Sequence, residues 1–280
     1  MTLSQPDLSQ KSSVEQSQPL SSSRLTAWYR PTFSPEHGVY VILLVSFLTG
    51  AAAAQHWTLA TTLALICAFA GFQAEHPFVL QIKQRRSWKP RFLLWGGVYS
   101  GIALGLAAYL YLQTPQLLWL YVGAIVAFGM DAISVFYRQQ KSIANELLTF
   151  AAVCLAAPLA YMATTGTWTV TLLGLWGLNT LFFSSAIFTV KLRKPKTASL
   201  HPALLYHSIA TVMVGVLWYS GWLSAIAALS FGIVLLKFGL ILGWQDWYRT
   251  APIQRVALLE TSSALLFLAI VSISLLPAKL

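Results

Sequence analysis

Residues 59–91 read LATTLALICAFAGFQAEHPFVLQIKQRRSWKPR. From Leu59 to Ile82 the run is almost wholly apolar. At about 1.5 Å per residue it is long enough to cross the roughly 30 Å of hydrocarbon in a bilayer. Lys83, Arg85, Arg86, Lys89 and Arg91 follow at once. A membrane helix running into a basic loop is the unit from which the rest of the chain is built.

The whole sequence of 280 residues is 57% hydrophobic and 9% charged. Ordinary soluble domains hold about 45–50% apolar and about 25% charged residues, so the excess needs a bilayer to absorb it. The expected fold is all-α, a polytopic bundle of nine transmembrane helices at Val39–Ala54, Leu59–Ile82, Phe92–Leu112, Gln116–Phe136, Ile143–Ala163, Trp168–Leu192, Ala203–Tyr219, Trp222–Gln245 and Val256–Leu276. Residues 1–30, rich in Ser and Gln, are expected to form a disordered cytoplasmic tail ahead of a membrane domain at 31–280. The tail lacks the pattern of a cleaved signal peptide, so the first helix is expected to direct insertion.

Basic residues set the orientation. The connections near Gln55, Thr114, Thr165 and Ser220 carry no Lys or Arg, whereas the alternate ones carry nearly all of them. Of the 18 Lys and Arg, only Lys279 falls on the opposite side. The positive-inside rule then gives a cytoplasmic N-terminus and an external C-terminus. The same scatter in short groups explains the net charge of +10 without nucleic acid as a partner. Cys67 and Cys154, each alone in an apolar run, read as small hydrophobes, not as a disulfide or a zinc site.

Two Glu-His pairs hold the functional interest. Glu36-His37 opens the first span, and Glu75-His76, followed by Pro77, lies about 24 Å along the second from Leu59, near its basic end. An ionisable group in hydrocarbon costs about 2.5–3.5 kcal/mol or more, so it normally faces a cavity or a partner. Asp131, Asn179, His207, Lys237 and Glu260 are expected to join the pairs around one polar cavity open to the cytoplasm. Glu36, His37, Glu75 and His76 are the candidate acid/base groups. Lys83, Arg85, Arg86, Lys191 and Arg193 form a candidate anion-binding rim, equally readable as topology determinants. A divalent metal on Glu36, His37, Glu75, His76 and His207 is chemically open, though their spacing matches no known motif. Bland roles compete throughout: Glu36 and Glu146 as acids of a first helical turn, Asp131, Lys237 and Glu260 as internally paired ions, Asp246 as the partner of Arg249.

Three stretches, PEHG (35–38), KSIANELL (141–148) and WGLNTLFFSSAIFTVKLR (176–193), resemble the YwiC-like family of bacterial integral membrane proteins. The resemblance implies a membrane bundle and no particular reaction. Nine spans and basic loops after the second and sixth are also similar to the UbiA-type intramembrane prenyltransferases, which hold magnesium and a prenyl diphosphate on Asp-rich loops. Here AEHPFVLQIKQRR (74–86) holds one acid and KLRKPKTASLHP (191–202) none, so the architecture is the only expectation carried over.

Three functions stay open: a cavity that binds or modifies an isoprenoid, quinone or other lipid-type amphiphile, a secondary transporter using Asp131, Lys237 and Glu260 as a relay, and a non-enzymatic scaffold. The expected location is the bacterial plasma membrane, with the thylakoid membrane as the alternative. The lipid bilayer is the one certain partner, and no feature fixes an oligomeric state.

Overall fold

The computed structural model describes residues 30–85, 87–194 and 199–276. The expected tail, Arg86, Lys196 and Lys279 therefore lie outside the described residues, Arg30 excepted. Among the described residues are nine helices long and apolar enough to cross a membrane. They are α1 His37–Ala54, α2 Leu59–Lys83, α3 Pro90–Gln113, α4 Pro115–Phe136, α5 Ile143–Thr165, α6 Val170–Lys191, α7 Leu200–Tyr219, α8 Ala225–Gly243 and α9 Ile253–Ser274. A short helix, Gln245–Thr250, lies between α8 and α9.

Local chemistry sets the helix ends. The Thr58 hydroxyl accepts from the Thr61 amide while Thr61 Oγ1 accepts from the Thr58 amide, a reciprocal cap that starts α2. Ser142, Thr169 and Ser224 cap α5, α6 and α8 in the simpler one-way form. Gly166 ends α5 at φ 71°, and Gly221 turns the chain between α7 and α8 at φ 78°, a backbone region that glycine enters without steric cost.

Two spans are interrupted. In α5, Pro158 removes one backbone donor, and the helix breaks at Leu155 between Ile143–Cys154 and Ala156–Thr165. In α8 the break falls between Ala225–Leu229 and Gly232–Gly243. Pro77, by contrast, is accommodated inside a continuous α2.

α1 and α6 are the most enclosed spans, and α3 is the least. α1 packs on α2, α5, α6 and α9. Helices in lipid associate by close packing rather than by water exclusion, so small residues mark the tightest crossings. A Cβ on Gly50 of α1 would lie 2.0 Å from the carbonyl oxygen of Ala157, beside the α5 break. A Cβ on Gly174 of α6 would lie 2.5 Å from the carbonyl oxygen of Trp222, in the turn before α8. α3 packs on α2, and α4 on α2 and α5, but α3 and α4 touch little beyond their shared turn at Pro115–Leu117.

Candidate functional site

That separation leaves a cavity of about 390 Å³ bounded by α2, α3, α4 and α5. Its walls are apolar and aromatic, with Phe72, Phe78, Tyr121 and Phe128 among them, and its two acids are Glu75 and Asp131. Among the described residues no Lys, Arg or His lines it. The two carboxyl groups lie within hydrogen-bonding reach of each other, and the other charge acting on Glu75 is that of Glu36. Two like charges about 4 Å apart repel by about 4 kcal/mol at an effective dielectric of 20. Such a pair persists only with a proton between its members or a cation beside them.

The KSIANELL stretch positions Asp131. Ser142 Oγ accepts from the Asn145 amide at 3.2 Å and so fixes the first turn of α5. Asn145 Nδ2 then donates to Asp131 Oδ1 at 2.7 Å. Its neighbour Glu146 pairs with Lys191 across to α6. One helix start thus ties α4, α5 and α6 together.

The two Glu-His couples do not converge as pairs. Adjacent residues on a helix diverge by about 100°, so Glu75 faces Asp131 while His76, part-buried, stays outside the cavity lining. Glu36 and His37 are exposed at the start of α1. The contact between that end of α1 and α2 is made instead by Gln73. Its Oε1 accepts from the Ser34 amide at 3.1 Å and its Nε2 donates to the Tyr40 hydroxyl, which itself donates to the Ser34 carbonyl at 3.1 Å.

Nor is there one shared cavity. Asn179 is fully buried, donating to Thr49 Oγ1 at 3.0 Å and to the Leu175 carbonyl at 2.8 Å. Lys237 donates to Glu260 Oε2 at 2.7 Å and lies 3.5 Å from Ser185 Oγ, linking α8, α9 and α6. His207 stacks on Phe238 with ring centroids 3.8 Å apart, its Nδ1 2.6 Å from the Ala203 carbonyl. These four residues are absent from the lining of the α2–α5 cavity. Each found one partner on an adjacent turn or helix, while Asn179 Oδ1, His207 Nε2 and Glu260 Oε1 stay buried without one. The five residues considered for a metal are dispersed accordingly: among the described residues no group of three or more His, Cys, Asp or Glu could hold one.

The basic rim disperses as well. Arg85 donates to the Phe136 carbonyl and lies 4.5 Å over that ring. Arg193 donates to the Ala251 carbonyl and lies over Tyr248, whose enclosed hydroxyl is pushed up to about 12, chiefly by burial. Lys191 is engaged by Glu146, and Lys83 is exposed. Arg91 donates to the carbonyls of Arg30 and Pro31. Arg85, Arg91 and Arg193 thus hold backbone carbonyls of other segments, and Lys191 joins α6 to α5. Asp246 and Arg249 form no ion pair; the two among the described residues are Lys191–Glu146 and Lys237–Glu260. Cys67 and Cys154 are free and buried.

Asn145, Gln73, Tyr121 and the Phe78–Phe128 pair are site residues that sequence reasoning missed. A signal existed for two of them. Gln73 interrupts an apolar run, and Asn145 sits inside a stretch already singled out.

Neither a curated protein nor a solved structure matches the chain, so the likeness to the prenyltransferases gains nothing from either. Residues 33–161 match the family model described as YwiC-like protein. The match takes in PEHG and KSIANELL and ends before WGLNTLFFSSAIFTVKLR. Glu75, Asp131, Asn145 and the cavity around them all lie within the matched stretch.

Proposed function

We propose that this membrane protein binds an amphipathic lipid-type molecule, of the isoprenoid, quinone or lipid class, with its chain in the α2–α5 cavity and its head at Glu75 and Asp131. The observation that carries the reading is an apolar cavity with two part-buried acids whose outer wall is incomplete. Leu104 of α3 and Ile125 of α4 both line it and are 64% and 63% exposed, on the side where those helices part. A chain dissolved in the bilayer can therefore enter sideways without crossing a headgroup layer. We place the basic end of the bundle in the cytoplasm of a bacterial cell by the positive-inside rule.

A transporter needs a path to both faces. The proposed relay groups lie apart here, Asp131 in the cavity and Lys237 with Glu260 among α6, α8 and α9, which favours the binding reading. Mass spectrometry of lipids and quinones retained by the gently purified protein tests it. A stoichiometric amphiphile is expected from the native protein and a depleted one from the Glu75→Gln, Asp131→Asn double variant. Equal retention by both overturns the site, and the absence of any retained amphiphile overturns the function.

A further inference from the structure

Resting on that reading, we propose that the head of the occupant is a positively charged nitrogen, an amine or quaternary ammonium on a long apolar chain. Three features of the cavity point to this class. First, its acidic lining residues are Glu75 and Asp131, and no Lys, Arg or His is among the described residues that line it. An anionic head placed between the two acids would meet repulsion from both carboxylates. A cation between the two carboxyls supplies the countercharge that a buried acid pair lacks.

Second, aromatic rings flank the acids. Phe78 is one turn from Glu75 on α2, Phe128 is one turn from Asp131 on α4, and their ring centroids are 6.3 Å apart. Tyr121 lines the same cavity, with its hydroxyl buried and without a hydrogen-bond partner. The electron-rich faces of such rings attract an ammonium group, and quaternary ammonium ligands are recognised by rings of this kind. Gly96 of α3 makes room for this arrangement, since a Cβ there would lie 3.0 Å from Phe78 Cζ.

Third, the acid pair is held in place. Asn145, 6% exposed, keeps one Asp131 oxygen engaged through Nδ2. An amine head carrying N–H groups can donate to the carboxylate oxygens that line the cavity, as an anionic head cannot.

The test is equilibrium binding to the full chain in maltoside micelles, with trace radiolabelled hexadecylamine, hexadecyltrimethylammonium, hexadecanol and hexadecyl phosphate, and with tetramethylammonium as the chainless control. The two ammonium amphiphiles are expected to bind at least tenfold more tightly than the alcohol or the phosphate. The Glu75→Gln, Asp131→Asn double variant should reduce them to the level of the alcohol. Phe78→Leu, which preserves apolar volume, should weaken the quaternary ligand severalfold more than the alcohol. The order of head groups on the native protein is decisive without any variant. Equal binding of all four chains, or a preference for the phosphate, overturns the charged-nitrogen head and leaves the cavity reading standing. Failure of every chain to bind overturns the cavity reading itself, and binding of tetramethylammonium as tight as the long-chain ligands overturns the amphiphile.

Discussion

The two halves of the bundle handle buried charge in opposite ways. In the second half, buried Lys237 and part-buried Glu260 form a cation-anion pair with Ser185 and the Phe182 ring beside it. In the first, Glu75 meets another acid, and an unfilled space adjoins them. A paired ion can be a structural device of α6, α8 and α9, since its charge is cancelled within the chain. Two acids without a base call for something from outside, a proton or a ligand. On the proposed function, the contrast separates a structural ion pair from a ligand-binding acid pair, which the sequence showed only as a common list of polar residues.

The largest effect expected from this contrast is on Lys237. Lys237→Met leaves Glu260 partly buried without its partner, and breaking one side of a buried pair typically costs about 3–5 kcal/mol. The unfolding midpoint in detergent should fall sharply and recover in the double variant Lys237→Met, Glu260→Leu. A small drop in the single variant would break the comparison from its structural side. Next comes Gly50→Ala, which forces a Cβ against the Ala157 carbonyl and is expected to lose about 1–3 kcal/mol by overpacking at the α1–α5 crossing. Gly38→Ala, with nothing within 4 Å of the added Cβ, serves as its neutral control.

Glu75→Gln with Asp131→Asn should shift the midpoint by less than about 1 kcal/mol in either direction, because it removes a repulsion while retaining hydrogen-bonding groups. A loss as large as that of Lys237→Met would make the acid pair structural and erase the difference between the halves. The smallest effect concerns Tyr248. Burial raises its hydroxyl to about 12 from the ordinary tyrosine value of about 10, so the unfolded chain ionises first as pH rises. Its contribution is therefore present below pH 10 and lost through pH 12. Tyr248→Phe should flatten that part of the midpoint-against-pH curve relative to the native protein.

The nine spans were legible because apolar length and alternating basic loops are properties of the chain itself. The observed helices start and end within a few residues of the expected ones, and Thr58, Ser142 and Thr169 stand at their caps. The site was legible only in part. Glu75 and Asp131 stood among the candidates, but their meeting depends on the relative rotation of α2 and α4, which apolar runs without a sharply amphipathic face leave unspecified. Sequence adjacency misled in the Glu-His couples, since neighbours on a helix point apart. Asn145 was hidden because an Asn in a first turn looks like an ordinary helix-start residue, whereas its partner lies on the preceding span.

The strap formed by Gln73 on Ser34 and Tyr40, reinforced where Arg91 grips the backbone at Arg30 and Pro31, has a mechanical consequence. It joins the segment entering the bundle to α2 at a point two residues from Glu75. Residues 30–34 are thereby a tether that fixes where the chain enters the bundle relative to the acidic end of the cavity.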